Sequence, residues 1–319
     1  MSGGAPGIVA RGLDALPQPP VPSIVTIGKF DGVHRGHQAV LASLRDAAAG
    51  RRTVVVTFDP HPLAVLRPEL APPPLLSIDQ RTEALLAAGV DLVLVLDFTP
   101  QFAALSPEQF VQSVLVGGLA ASEVLVGADF RYGARGVGTV ETLRDAGERD
   151  GFTVALVDDV CEAGGRRVSS TGIRADLEAG RIAEATEALG RPPRIRSLVV
   201  PGHQRGRDLG YPTANLAPGA EGYIPADGVY ACWLHVGGER YGAAVSIGNN
   251  PTFGDVLEKT VEAHAIDVTL DLYGSIVELD VIEYIRPMRK FESGDALAAQ
   301  MGLDELRIRE VLGLAAEPV

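Results

Sequence analysis

The sequence predicts an open α/β domain with a parallel sheet, followed by a small all-β domain that ends in a helix. Three observations carry this reading. The chain has 319 residues, too many for one comfortable core and suited to two domains. Strand-like and helix-like segments alternate through the first half, the pattern of a parallel sheet covered on both faces. Near Gly190 this gives way to short strand-like runs separated by Gly, Pro, Asn and Asp, the spacing of a small antiparallel barrel or sandwich.

The elements follow in order. Residues 1–20 read as a loose arm, with no basic segment leading into an apolar one as a signal peptide requires. SIVTIG, from Ser23 to Gly28, is a short apolar strand, and QAVLASLRDAAAG after it has helical spacing with a glycine stop. TVVVTF, from Thr53 to Phe58, is a strand of the fully buried type. IDQRTEALLAAG is a helix, DLVLVLDF a strand, and SPEQFVQSVLVGGL a helix opened by Ser-Pro-Glu. EVLVG and FTVALVDDV complete the strands of this half. RPPRIRS, from Arg191 to Ser197, is proline-rich and polar and reads as a linker, which sets the domains at 1–189 and 190–319. Beyond it GVYACWLHV, YGAAVSIG, TVEAHAIDVTL and SIVELDVIEYI are the clearest strands. From Gly294 to Leu314, apolar Leu297, Met301, Leu306 and Leu312 recur at helical spacing, so a terminal helix should pack on the β domain.

Composition narrows the function. The formal net charge is -13, which disfavours a polyanionic partner such as nucleic acid. No apolar run reaches the ~18 residues of a membrane span. Cys161 and Cys232 are too far apart in sequence to suggest a disulfide framework or a zinc cluster, and a reducing cytoplasm fits them. The sequence leaves the oligomeric state open.

Four strings in the first half carry chemistry. Gly28-Lys29-Phe30-Asp31-Gly32-Val33-His34-Arg35-Gly36-His37 joins the first strand to the first helix, where open α/β sheets bind ligands. His34 and His37 there can both address one phosphate, the glycines admit the backbone closely, and the helix start favours anions. Thr57-Phe58-Asp59-Pro60-His61-Pro62 ends the next long strand and places Asp59 and His61 toward a ligand. Val126-Gly127-Ala128-Asp129-Phe130-Arg131-Tyr132-Gly133 again follows a strand. In Val168-Ser169-Ser170-Thr171-Gly172-Ile173-Arg174, hydroxyls stand at a helix start with Arg174 one turn on: a phosphate clamp, a helix cap, or both. The nearby GARGVG has the wrong glycine order for a dinucleotide fingerprint.

Two strings stand out in the second half. The stretch from Gly202 to Leu216 is Gly-rich, carries Arg205 and Arg207, and passes through Gly210 into Pro-Thr-Ala-Asn. Such a loop can cover phosphates with its N–H groups. Thr213 and Asn215, two apart, would share one face of a strand and offer hard oxygens suited to magnesium. Val261-Glu262-Ala263-His264 alternates like a strand, and Glu262 could accept a hydroxyl proton. There is no Walker A lysine string, so this is not a P-loop kinase.

The strings GKFDGVHRGH, TFDPHP, GADFRYG and VSSTGIR, in that order, resemble the bacterial bifunctional riboflavin kinase/FAD synthetase family, from about Ile24 to Leu189. GRDLGYPTANL, IPADGVYA, SIGNNPTFG, TVEAHAID, DLYG and RPMRKF resemble its riboflavin kinase module, from about Ser197 to Leu314. The resemblance implies a Rossmann-like nucleotidyltransferase domain followed by a six-stranded antiparallel β-barrel kinase domain with a C-terminal helix. It implies FMN formation from riboflavin and ATP in the second domain, FAD formation from FMN and ATP in the first, and Mg2+ as cofactor. His34 and His37 would hold the ATP α-phosphate, with Gly28, Phe30, Asp31 and Gly36 also at ATP. Ser170, Thr171 and Arg174 would hold its outer phosphates, while Asp59, His61 and Asp129 line the FMN cleft. In the kinase, Gly202, Arg207, Gly210, Thr213 and Asn215 would bind ATP, the last two holding the metal, and Glu262 would activate the flavin hydroxyl. Some members carry Asn at the position of Asp129, and Gly is common at that of Ser197. Other nucleotidyltransferases share the H-x-G-H string, but a kinase-like second half argues against them. A flavin-binding regulatory protein without turnover should have lost one of His34, His37, Thr213, Asn215 or Glu262.

Overall fold

The structure is a computed structural model and describes residues 7–157, 167–201, 211–249 and 259–315. The chain divides between Ser169 and Ser170 into two compact units.

The first unit is built on six strands: β1 (Ile8–Arg11), β2 (Ser23–Ile27), β3 (Arg52–Asp59), β4 (Leu92–Asp97), β5 (Ala121–Gly127) and β6 (Thr153–Val157). They are all parallel, in the order β1-β4-β3-β2-β5-β6. Connections on opposite sides of β2 make the β2/β5 junction a topological switch point, with a crevice outside the strands' carboxyl ends. Alternate side chains feed two cores. Val25, Ile27, Val54, Val56, Leu94 and Val124 pack on one face. Ile24, Val55, Val93, Val95 and Leu125 pack on the other. Burial on both faces explains why these strands read as continuous apolar runs.

Helices cover the sheet: α1 (Arg35–Asp46), α2 (Pro62–Leu66), α3 (Ile78–Ala87), α4 (Pro100–Ala103), α5 (Pro107–Phe110) and α6 (Val140–Asp150). Ser77 opens α3 with a reciprocal capping box to Gln80. Beyond α5 the chain continues as a π-helical segment, Val111–Gly118. The arm expected at 1–20 is not wholly loose, because Ile8–Arg11 forms β1 on β4.

The second unit contains a closed antiparallel barrel, which settles the choice between barrel and sandwich. Its strands are β7 (Arg194–Val200), β8 (Ala214–Leu216), β9 (Gly228–Val236), β10 (Glu239–Asn249), β11 (Lys259–Ala265) and β12 (Ile276–Arg286). The order is β10-β11-β8-β7-β12-β9. Arg191–Ser197, read as a linker, thus runs into a barrel strand. The C-terminal helix, Gly294–Leu312, packs on the barrel through Ile308 and Leu312. Leu306, expected on its packed face, is exposed.

Two more helices, α7 (Ser170–Glu178) and α8 (Ile182–Leu189), lie in this second unit. The Tyr223 hydroxyl donates to Glu178 Oε1 at 2.6 Å, and Ala226 N donates to the Leu177 carbonyl at 3.0 Å. At Gly180, φ is 71° and a Cβ would come 3.2 Å from the Tyr284 ring, so glycine serves both backbone and packing there.

Candidate functional sites in the two units

The first site grows from the end of β2. Gly28 N still donates to the Val56 carbonyl at 3.0 Å, and then the chain leaves the sheet. Phe30 and Val33 sit at φ 49° and 43°, a left-handed conformation uncommon for side chains of this bulk. Such backbone persists only where its surroundings hold it. Asp31 is buried, and its Oδ1 accepts from Leu75 N at 2.9 Å and Leu76 N at 3.4 Å. The Phe30 ring is buried in the core and lies 5.0 Å from the His37 ring, so its side chain wedges the histidine.

His34 caps α1, its Nδ1 accepting from His37 N at 3.3 Å. An accepting Nδ1 puts the proton of neutral His34 on Nε2. The His34 and His37 rings stack with centroids 3.7 Å apart and planes 17° apart. Two cations in that position would repel. His37 Nδ1 is enclosed and has no hydrogen-bond partner among the described residues. Burial first, then the neighbouring His34, Lys29 and Arg81, hold the His37 pKa well below the ordinary 6.5. Gly36 leaves room for this pair: a Cβ there would come 3.0 Å from His34 Cε1.

The other expected groups lie on neighbouring strand ends. Asp59 closes β3, and His61 caps α2 with Nδ1 accepting from Leu63 N at 3.1 Å. Asp129 follows β5 and is exposed, 3.7 Å from the Arg167 guanidinium. Ser170 and Thr171 start α7 and Arg174 is buried within it, so the VSSTGIR string spans the division between the units.

The sequence reading missed two features here. A chain of aromatic rings runs through Phe58, Phe98, Phe102, Phe110, Tyr132 and Phe130, with neighbouring centroids 5.6 to 6.2 Å apart. Its members come from a strand end, two short helices and the loops beside them, so no local pattern announces it. Arg81, in the first turn of α3, is only 5% exposed and reaches the end of β3. A charge in a helical segment reads as a solvated residue until its burial is seen.

The second site lies on barrel strands. β11 pairs with β8 so that Glu262 stands opposite Asn215, and with β10 so that Glu262 stands opposite Ser246. Opposed residues share a face of the sheet. The neighbours Val261, Ala263 and Ala265 are buried, which leaves Glu262 and His264 on the barrel's outer face. Thr213 Oγ1 is 3.5 Å from Glu262 Oε2. The carbonyl of Pro212 can only accept, so His264 donates Nδ1–H to it at 2.9 Å. The Tyr211 ring meets the His264 ring edge-on at 5.2 Å. Gly202, Arg207 and Gly210 lie outside the described residues.

Asp267, just beyond β11, is paired with Arg309 of the C-terminal helix, with Nη1 to Oδ2 at 2.8 Å.

Known proteins match this arrangement. Residues 17–172 match the family model for FAD synthetase, and residues 189–312 match that for riboflavin kinase. A bifunctional riboflavin kinase/FMN adenylyltransferase of Escherichia coli (strain K12) is 38% identical over 95% of this chain and 97% of its own length. The chain belongs to the bifunctional riboflavin kinase/FMN adenylyltransferase family. A further member from Bacillus subtilis (strain 168) is 33% identical over 89% of this chain and 90% of its own. A crystal structure from Streptococcus pneumoniae, described as a macrolide-efflux protein, is 33% identical and superposes with a TM-score of 0.84. It covers 96% of this chain and 99% of that one. Among the described residues here, no helix is long and apolar enough to cross a membrane. The riboflavin kinase match covers the strings of the second half, and the FAD synthetase match covers the first three strings of the first half and ends within the fourth, at Gly172.

Proposed function

We propose that the two activities of the family are divided between the two sites: riboflavin phosphorylation on the barrel, and FMN adenylylation at the end of the parallel sheet. In the second reaction an FMN phosphate oxygen forms a bond to the α-phosphorus of ATP. The bond from that phosphorus to the β-phosphate bridge breaks, and pyrophosphate leaves. The observation that carries this reading is the stacked His34–His37 pair at the start of α1. It combines a fixed Nε2–H donor on His34, a helix N-terminus and a switch-point crevice, the means of stabilising charge on a phosphate. Gly28, Phe30 and Asp31 act here through the shape of their loop, and Gly36 through the space it leaves. The exposed parts of Phe58, Phe98 and Phe130, near Asp59, His61 and Asp129 in sequence, offer ring faces to the flavin. The assignment of Ser170, Thr171 and Arg174 to the outer phosphates rests on the VSSTGIR string.

In the kinase reaction a riboflavin hydroxyl oxygen bonds to the γ-phosphorus of ATP and ADP leaves, with Glu262 taking the hydroxyl proton. Thr213 and Asn215 supply hard oxygens beside that carboxylate, a donor set that fits Mg2+. They would hold it, and it would offset charge on the transferring phosphate. The functional boundary is placed at 189/190. A cytoplasmic setting belongs to the same reading and rests on the two separated cysteines and on soluble substrates.

The deciding experiment is His34→Ala in the full chain. FAD formation from FMN should fall by ~10²–10³, while FMN formation from riboflavin continues at its original rate. Equal loss of both activities in a folded protein would point to a single shared site.

A further inference from the structure

Arg81 has no part in the scheme above, yet its surroundings are unusual. It is 5% exposed in the first turn of α3. Its Nη1 donates to the Phe58 carbonyl at 3.1 Å and lies 3.5 Å from Thr57 Oγ1. Thr57 is fully buried, and its hydroxyl donates to the Lys29 carbonyl at 3.0 Å. A continuous chain of polar contacts thus runs from α3, through the end of β3, to the loop between β2 and α1. Arg81 Nε is buried without a partner among the described residues, as is His37 Nδ1. Unmet buried polar groups are rare in folded proteins and call for a reason. Mere anchorage of α3 gives none, since a leucine would anchor it without leaving a donor unmet.

We propose that Arg81 is a positioning residue for adenylyl transfer: through Thr57 and Phe58 it holds the loop that carries His34 against the carboxyl end of β3. This rests on the assignment of FAD formation to the His34–His37 site. The loop needs such a hold, because Phe30 and Val33 both occupy left-handed backbone that relaxes when released. A small shift in that loop moves the His34 donor and the helix start together. Misplacement of this kind can cost about 10²-fold in rate.

The charge matters as well as the contacts. Groups bearing on His37 are His34 beside it in α1, Lys29 from the loop and Arg81 from α3, and all oppose its protonation. Burial lowers the Arg81 pKa, while Asp31 and Asp59 oppose that and support its charge. Burial does most to keep His37 neutral, and a fixed cation on this side adds to it, so His37 does not repel the stacked His34 when a proton is gained nearby.

The test uses the full chain and four variants: Arg81→Gln, Arg81→Lys, Thr57→Val and His34→Ala. Turnover of FMN to FAD is followed against pH, and riboflavin phosphorylation is measured on the same preparations. Arg81→Gln should lower kcat for FAD formation by about 10²-fold and move the acid limb of its pH profile upward. Kinase turnover should stay at the original level. Arg81→Lys keeps the charge and should leave the acid limb in place, with only part of kcat restored. Thr57→Val breaks the relay but not the charge, so kcat should fall with the limb unmoved. Near-normal kcat in Arg81→Gln overturns the proposal. So does a loss of kcat in Arg81→Gln with an unmoved limb, because a purely structural residue would give that. Should Arg81→Gln unfold the first unit, the other two variants decide: normal turnover in both overturns the proposal, and loss in Thr57→Val sustains it. FAD formation surviving in His34→Ala would instead overturn the site assignment itself.

Discussion

His37 links the chemistry of the first site to acidity. Its pKa is lowered well below 6.5, by burial first and then by His34, Lys29 and Arg81. FAD formation should therefore hold its rate as pH falls through 6.5, where an ordinary histidine would begin to charge. A pH profile of FMN turnover checks this; an acid limb centred near 6.5 would contradict it. The same shift bears on stability. The unfolded chain takes up a proton on this histidine near 6.5, while the folded one does so only at lower pH. The stabilising contribution is thus present above 6.5 and is lost as pH falls through the folded pKa. Urea unfolding of the full chain at a series of pH values should show the midpoint of the first unit drifting down below pH 6.5. In the barrel, the residue proposed as the base is Glu262, whose carboxylate lies beside Thr213. Glu262→Gln keeps the shape but cannot accept a proton, so riboflavin phosphorylation should fall by ~10²–10⁴. FMN adenylylation should persist, and kinase turnover near the original level would make Glu262 a bystander on an outer strand face.

Among the elements, α1 depends on the smallest of its residues. A Cβ at position 36 would press on His34 Cε1 and Nδ1, at 3.0 and 3.1 Å. Gly36→Ala favours the helix by intrinsic propensity, yet it should push the imidazole off its place. FAD formation is expected to drop by roughly ten- to a hundredfold while thermal unfolding changes little; unchanged turnover would show that the ring tolerates the shift. This local crowding was half legible in the sequence. G-x-H-x-G-H between an apolar strand and a helix reads as a phosphate site because its signal is local: turn, cap and helix start lie within ten residues. The neighbourhood of Asn215 and Glu262 follows from strand pairing, which sets them opposite each other, and Thr213, just before β8, lies 3.5 Å from that carboxylate. The rest depends on contacts distant in sequence. The four-residue β1 is too short to show alternation. The rings from Phe58 to Tyr132 gather from separate elements, and Arg81 meets Phe58 across 23 positions. The linker reading of Arg191–Ser197 failed because two prolines mark only the entry to a strand that edges into a closed barrel.

At the scale of the whole chain, the two boundaries make different predictions. The kinase match begins at residue 189, but the second compact unit begins at Ser170. A fragment from 190 to 319 contains every residue assigned to the kinase, yet it lacks α7 and α8. It would leave Tyr223 without Glu178, and Ala226 N without the Leu177 carbonyl. Both that fragment and one from 170 to 319 should phosphorylate riboflavin and make no FAD. The longer one should unfold at higher denaturant, by an amount on the order of 1–3 kcal/mol for the hydrogen bonds and apolar contacts retained. Equal midpoints would show that the two helices add nothing to the barrel. Both reactions use ATP, so EDTA should stop both in the full chain and magnesium should restore them; kinase turnover surviving thorough chelation would remove Thr213 and Asn215 from their assigned role. The two units also differ in what a truncation exposes. The barrel closes on itself, whereas the parallel sheet ends at β1, which lies outside the region 17–172 matched by the FAD synthetase model. Trimming the chain to that region would strip β1 from β4 and leave Leu92–Asp97, five Leu and Val residues followed by Asp97, as an open edge. Unpaired N–H and C=O groups along such an edge recruit another chain. The four residues of β1 replace the longer apolar edge of β4 with a shorter one, so a chain trimmed to 17–172 should self-associate more than the full chain in light scattering; equal scattering would show that β1 gives no such protection.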